Sequence, residues 1–202
     1  MTIGIVDFQV NNLKSLTSAL ATAQIEYEVL TDSSHIADFD RLILPGVGSF
    51  PAGMRQIINN GWDEALLSAA ASETKILGIC LGMQLLFEVS SEFNNTNGLG
   101  LIEGNVLPLT FQKNLPIPHM GWNDISIISP HPILEGVMSG LDAYFVHSYH
   151  VNPTFKEHIL AETSYGITFP SIVGKNNVIG VQFHPEKSFP VGLRILKNFE
   201  VW

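Results

Sequence analysis

The sequence predicts an α/β fold, with a mostly parallel central sheet flanked by helices and a mixed or antiparallel extension. Three observations carry this. Apolar runs alternate with helical patterns through the first half of the chain, the order that builds parallel β-α-β units. From residue 101 to residue 183, short strands are split by Gly and Pro with little helix signal, the pattern of an antiparallel or mixed addition. The chain has 202 residues, 46% of them hydrophobic and only 14% charged. That is enough to bury one core, so residues 1–202 read as a single domain.

Each element follows from its own residues. Residues 3–8 form an apolar run and read as a buried strand. Asn11 and Asn12 are placed to cap a helix carrying Leu13, Leu16 and Leu20 at helical spacing. Residues 25–30 alternate apolar and polar and make a second strand. Residues 40–44 make a third, stopped by Pro45 and Gly46. A helical stretch follows over residues 51–71, interrupted at Gly61. Residues 75–80 are a fourth strand, and residues 81–89 read as a helix with Leu81, Leu85 and Val89 on one face. Residues 94–100, rich in Asn and Gly, read as a loop, and residues 190–199 as a closing helix.

Composition excludes several function classes. Nineteen acidic residues against ten basic ones give a formal charge of −9, which argues against nucleic acid or an anionic membrane as a partner. The single cysteine excludes an internal disulfide framework and a Cys-rich zinc site. The opening residues MTIGIVDF lack the charged start and cleavage site of a signal peptide. The most apolar stretch, residues 76–87, is too short to span a bilayer and contains two glycines. The expectation is a cytosolic, cytoplasmic globular protein. Asn94-Asn95-Thr96 fits a glycosylation sequon and reads as chance in that setting.

The chemistry starts at Cys80. A lone intracellular cysteine is ordinarily a buried, inert thiol. Here Gly78-Ile79-Cys80-Leu81-Gly82 joins a buried strand to an amphipathic helix, a nucleophile elbow with cysteine where hydrolases carry serine. The flanking glycines permit a sharp turn that pushes the side chain out of the sheet edge. The positive end of the following helix favours thiolate over thiol. The N–H of Leu81 is placed to donate to an oxyanion.

A cysteine nucleophile needs a base, and the base needs an orienter. Of the seven histidines, His35, His131 and His158 sit in polar or loop surroundings. His184 instead ends an apolar strand and opens His184-Pro185-Glu186. Proline fixes the backbone there, so Glu186 can bond one ring nitrogen while the other faces Cys80. Alone this turn reads as solvated; with the elbow upstream the two signals support each other. Leu44-Pro45-Gly46-Val47-Gly48 ends the third strand as a tight loop or as a set of N–H groups for an anion. Ligands bind outside the carboxyl ends of strands in a doubly wound sheet. Residues 8–12, residues 46–48 and the elbow therefore share one rim.

At this point GICLGMQLLFE, LPGVGSF, PHMGWN, YFVHSYHV and GVQFHPEKS together resemble the class-I, or triad, glutamine amidotransferases. More narrowly they resemble the glutaminase subunit of imidazole glycerol phosphate synthase, of histidine biosynthesis, over nearly the whole chain. The resemblance implies a flavodoxin-like amidotransferase fold, L-glutamine as substrate, and a heterodimer in which ammonia passes to a (βα)8-barrel cyclase or synthase subunit. It implies no metal or organic cofactor, and the chain shows no P-loop motif. It assigns Cys80 as nucleophile, His184 as general base and acid, and Glu186 as the group orienting His184. It places the oxyanion hole at the backbone of Val47, Gly48 and Leu81. Gln84 and Glu92 would surround the glutamine, with His147, Ser148 and Tyr149 lining the site. Asn12, His119, Met120, Gly121, Trp122 and Asn123 would lie at the partner interface. Without the resemblance, Trp122 reads as a core or surface aromatic and His119 as a candidate zinc ligand.

The chain departs from the family in two places. After the first strand the family usually has Asp-Tyr-Gly-x-Gly-Asn, and this chain has Asp7-Phe8-Gln9-Val10-Asn11-Asn12. Phe189 stands where the family tends to have glutamine. Both changes lie beside the rim and leave the triad untouched. They open a second reading, a paralogue supplying ammonia to a sugar amidotransferase of cell-surface polysaccharide biosynthesis. Two remoter readings are a non-catalytic scaffold and a cysteine peptidase or small-molecule hydrolase. The complete triad argues against the first, and Gln84 and Glu92 against the second.

Overall fold

A computed structural model describes residues 2–9, 13–111 and 115–202. The first strand, β1 (Ile3–Val6), is buried at every position, as expected of a parallel strand covered on both faces. There follow α1 (Leu13–Ala23), β2 (Tyr27–Leu30), β3 (Arg41–Gly46), α2 (Phe50–Asn59), α3 (Trp62–Ala71), β4 (Lys75–Cys80) and α4 (Leu81–Leu85). Asn11 and Asn12, the expected caps of α1, lie outside the described residues. Gly61 does divide the long helical stretch. It takes φ 66° between α2 and α3, a left-handed conformation open to glycine at little cost.

The second half adds short strands. They are β5 (Phe87–Ser90), β6 (Thr96–Asn97), β7 (Ile102–Pro108), β8 (His119–Ile127), β9 (Leu141–His147) and β10 (Tyr149–Pro153). After them come β11 (Ile159–Tyr165), β12 (Ile167–Lys175), β13 (Val178–Val181) and the closing helix α5 (Val191–Val201). Among the described residues the main sheet runs β2-β1-β3-β4-β13-β12-β11-β8-β9. From β2 to β13 every pairing is parallel, in the flavodoxin-like order with β13 as the last parallel strand. From β13 to β9 every pairing is antiparallel. A second sheet, β10-β7-β5-β6, stands beside it.

Strand alternation sorts the side chains into two layers. Ile3, Ile5, Ile43, Leu77, Ile79 and Val181 pack with Leu16 and Leu20 of α1 and with Ile195 and Phe199 of α5. Val6, Leu42, Leu44, Ile76 and Val178 pack on the other face with Phe50, Met54, Trp62 and Leu66. Val106 and Val151 of the second sheet join that same layer. Burying one such side chain is worth about 1.5–3 kcal/mol, against ~0–1 kcal/mol for an exposed ion pair. Apolar burial therefore holds the strand ends that carry the site.

Three expectations are corrected. The helix expected over residues 81–89 ends at Leu85, and residues 87–90 form β5. The reason is tertiary. The carbonyls of Leu85, Leu86 and Phe87 accept from the N–H groups of Leu99, Leu101 and Gly100 at 2.8–3.1 Å, so they are not available to continue the helix. Residues 96–97, inside the expected loop, pair with β5. Finally, β3 runs on through Pro45 and Gly46, which pair with Ile79 and Cys80; the recorded pairing of β3 with β1 ends at Ile43.

Candidate active site

Cys80 ends β4 with φ 54° and ψ −107°, a conformation that costs a non-glycine residue about 1–3 kcal/mol. Two glycines make the turn possible. A Cβ on Gly82 would lie 1.7 Å from the Leu44 carbonyl oxygen, and one on Gly78 would lie 2.7 Å from the Gly82 backbone. The elbow thus presses α4 onto β3 and β4 more closely than any side chain allows. Cys80 is 7% exposed, and its thiol donates to the Val146 carbonyl at 3.9 Å. The Leu81 N–H opens α4 and has no acceptor within the helix.

His184 follows β13, the sheet neighbour of β4, which is how a residue distant in sequence reaches the thiol. Its N–H donates to the Tyr144 carbonyl at 2.9 Å. Ser188 Oγ donates to the His184 carbonyl at 2.6 Å and accepts from the Tyr144 N–H at 2.8 Å. The His-Pro-Glu turn is thereby tied to β9. His184 Nδ1 meets Glu186 Oε1 at 2.8 Å, so Nε2 is the nitrogen left for chemistry, buried and without a closed hydrogen bond. Burial pulls the pKa of the imidazole down, but Cys80 and Glu186 beside it outweigh burial and push it up to about 10. The site therefore favours the imidazolium once the ring has taken the thiol proton, the form that can protonate a departing amine.

These groups open into a cleft of about 400 Å³. Cys80 and His184 line it together with Val47, Gly48, Leu81, Gln84, Glu92, His147, Ser148 and Tyr149. Every residue expected around the glutamine is therefore at the cleft wall, while Glu186 sits behind His184. Pro118 and Val146 also line it, and nothing in their residue type marked them beforehand. Gly48 has φ 98°. Glu92 Oε2 accepts from the Phe50 N–H at 2.6 Å, which leaves its other oxygen to the cleft. Gln84 Nε2 donates to the Tyr149 carbonyl at 3.0 Å and to Gln182 Oε1 at 3.2 Å, which leaves its Oε1 as an acceptor.

The stretch expected at the partner interface divides between the two faces of β8. Met120 and Trp122 are 63% and 66% exposed, and Trp122 packs edge-on against Tyr144. Gly121 between them has φ 136° and open space around it. His119 is buried, stacked between Tyr165 and Phe145 with ring centroids 3.9 and 4.9 Å away. Its ring is a core group and does not reach the surface, because alternate residues of a strand face opposite sides. Asn123 shares that inner side and donates to the Ser164 carbonyl at 2.9 Å. Asn12 lies outside the described residues. Among the described residues no group of three His, Cys, Asp or Glu could hold a metal, so His119 has no companions for a zinc site there.

His119 has a different role. The carbonyl of Tyr149 can only accept, so His147 Nδ1, 2.8 Å away, carries a proton. His147 Nε2 then accepts from His119 Nδ1 at 3.0 Å, and His119 Nε2 accepts from Asn123 Nδ2 at 3.4 Å. Burial pushes the pKa of His147 down to about 3 and that of His119 down to about 4. Both rings are neutral at pH 7, and the chain of bonds anchors the Ser148–Tyr149 wall of the cleft.

The chain matches the glutamine amidotransferase class-I family over residues 4–201. Two solved structures share its fold: a glutamine amidotransferase, and PurLQS from Thermotoga maritima. Each has a TM-score of 0.76 over 98% of this chain and 96% of the other, at 20% and 17% identity. The chain belongs to the class-I glutamine amidotransferases and is an enzyme of that class. Three relatives are each called imidazole glycerol phosphate synthase subunit HisH. That of Caldanaerobacter subterraneus subsp. tengcongensis is 46% identical over 98% of this chain and 96% of its own. That of Wolinella succinogenes is 44% identical over 98% of both chains, and that of Desulfitobacterium hafniense 43% over 99% and 94%. Within the class, this chain is a glutaminase subunit of the HisH family.

Proposed function

We propose that the chain hydrolyses L-glutamine through Cys80, His184 and Glu186 and hands the ammonia to a (βα)8-barrel cyclase subunit of imidazole glycerol phosphate synthase. The observation that carries this reading is the convergence, in one cleft, of the Cys80–His184 pair with the free carboxylate oxygen of Glu92 and the free amide oxygen of Gln84. Those two acceptors suit the ammonium and amide of a glutamine.

The Cys80 thiolate attacks the carboxamide carbon, and the carbonyl π electrons move onto oxygen. The N–H of Leu81 and those of the Val47–Gly48 turn receive that oxyanion; one such donor is typically worth ~10²–10³ in rate. His184 gives its Nε2 proton to the departing nitrogen, the C–N bond breaks and ammonia leaves a glutamyl thioester. The neutral His184 then takes a proton from water, whose oxygen attacks the thioester carbon. The C–S bond breaks, the electron pair returns to sulfur, and glutamate is released. Glu186 keeps Nδ1 protonated so that Nε2 remains the reactive nitrogen.

Met120 and Trp122 support a docking face on the outer side of β8, where Lys187 also lies over the Tyr144 ring at 5.2 Å. The polysaccharide reading drew on a changed loop at Gln9 and Asn11. Gln9 takes φ 66° and donates its N–H to Asp7 Oδ1 at 2.9 Å. The backbone there keeps the positive φ a glycine would take, at a cost, so the argument for an altered loop loses its footing at that position. Asn11 lies outside the described residues.

The test is ammonia release with and without the barrel subunit and its acceptor, followed by complementation. Slow release alone and faster release in the complex are expected, since the Pro45–Gly48 turn can hold more than one peptide orientation. The chain should also restore growth without histidine to a cell that lacks its own glutaminase subunit but keeps the cyclase. A soluble, folded chain that fails there, yet works with its own neighbouring barrel protein, would move the assignment to the sugar pathway.

A further inference from the structure

Gln182 directly follows β13, two residues before His184, and is wholly buried. Nothing in the triad or the oxyanion hole uses it. Its Nε2 is 3.8 Å from Cys80 Sγ, within reach of a hydrogen bond to sulfur. The polarity of that contact is fixed from outside. The Tyr149 carbonyl can only accept, so the group facing it must be Gln84 Nε2, at 3.0 Å. The second proton of that amide points to Gln182 at 3.2 Å, which requires Oε1 there. Gln182 therefore presents its N–H groups, and not its oxygen, to the sulfur.

We propose that Gln182 is a further catalytic residue of this glutaminase, whose side-chain amide donates a hydrogen bond to the Cys80 sulfur whenever that sulfur is a thiolate. The sulfur has two neighbours with opposite demands. The Val146 carbonyl accepts from the thiol. Once the thiol proton has passed to His184 that contact has no hydrogen, and the Gln182 donor becomes the favourable one.

The charged state occurs twice in each turnover, before attack and when the second tetrahedral intermediate collapses. In that collapse water oxygen has bonded to the thioester carbon and its proton is on His184. The C–S bond then breaks and its electron pair goes to sulfur. A thioester sulfur is a weak acceptor, so the amide favours the departing thiolate over the bound thioester and speeds deacylation. This second half rests on the glutaminase reading; the effect on the resting sulfur does not.

The experiment is alkylation of Cys80 by iodoacetamide in the full chain, followed across pH. Gln182→Met keeps the volume but removes the donor, and Gln182→Glu keeps the shape but places a carboxylate at the sulfur. Both should move the alkylation profile to higher pH, by about one pH unit for methionine and further for glutamate. In the partner complex, Gln182→Met should lower kcat about tenfold, with thioester accumulating and the acylation burst retained. A profile coincident with that of the unmodified chain, in a variant that unfolds normally, overturns the proposal. If neither variant folds, the unmodified chain decides. The Gln182 side-chain ¹⁵N amide resonance should shift with the same pH midpoint as alkylation, and a resonance that ignores the thiol overturns it. A shifted profile in a chain that releases no ammonia in any complex would sink the glutaminase reading while upholding the contact.

Discussion

The parallel half of the main sheet and its antiparallel extension meet at one cleft but hold their contributions differently. The parallel half supplies the reacting groups from the carboxyl ends of neighbouring strands: Val47 and Gly48 after β3, Cys80 at the end of β4, His184 after β13. The elbow among them is held by backbone contact without spare room, since a Cβ on Gly82 would lie 1.7 Å from the Leu44 carbonyl oxygen. The extension supplies part of the wall, Pro118 ahead of β8 and Val146 and His147 of β9, and its His147 holds Tyr149 of the second sheet. It is held by a chain of side-chain hydrogen bonds through Asn123, His119 and His147. Backbone sterics tolerate almost nothing, whereas a polar network can lose one bond and persist. Damage in the first region should be all-or-none, and in the second graded.

The largest effect is expected at Cys80. Cys80→Ala should lower ammonia release in the partner complex by roughly 10⁴-fold or more, while its unfolding midpoint in urea stays near that of the parent. Comparable turnover in the alanine variant would remove the parallel half from the chemistry altogether.

Next comes a matched pair of glycines. Gly82→Ala forces a Cβ into the Leu44 carbonyl and should cost on the order of 4 kcal/mol or more, enough to prevent recovery of folded chain. Gly121→Ala, on β8 of the extension, meets nothing within 4 Å and pays only for its positive φ, about 1–3 kcal/mol. Thermal unfolding of both would break the comparison if the two losses proved alike.

Glu186→Gln keeps the shape of the orienter and removes its charge. Turnover should fall by ~10²–10⁴-fold. The raised pKa of His184, about 10, stabilises the fold fully below the unfolded value of roughly 6.5. That stability is lost as pH rises through about 10. The variant should therefore lag the parent in urea at pH 7, and the gap should narrow toward strongly alkaline pH.

The smallest effect separates the extension by its histidines. His119 and His147 have folded values of about 4 and about 3, below an unfolded value of roughly 6.5. Their contribution is present above the unfolded value and is lost as pH falls toward 4, by at most ~1.4 kcal/mol per pH unit for each ring. His119→Gln should flatten the fall of the urea midpoint between neutral and mildly acidic pH. An unchanged slope would mean that the His119–His147 pair carries no load.

Much of this protein was legible in its residues. The β-α-β alternation, the break at Gly61, the glycine-flanked elbow at Cys80 and the His184-Pro185-Glu186 turn are local features, written in spacing and backbone preference. Motif resemblance added the cleft residues Val47, Gly48, Leu81, Gln84, Glu92 and His147 to Tyr149, of which only Leu81 and Gln84 stand close to the Cys80 elbow in the chain. What the sequence could not state was set by contacts between segments far apart. The helix after Cys80 stops at Leu85 because the loop through Leu99 and Leu101 takes its carbonyls. His119 turns inward because β8 pairs with β9 in the register that sets His119 against His147. Gln182 acquires a direction only when Tyr149 orients Gln84. A strand pattern names which residues alternate, but register decides which of the two faces is buried. An amide has a donor end and an acceptor end, and only its tertiary neighbours decide which end meets the sulfur.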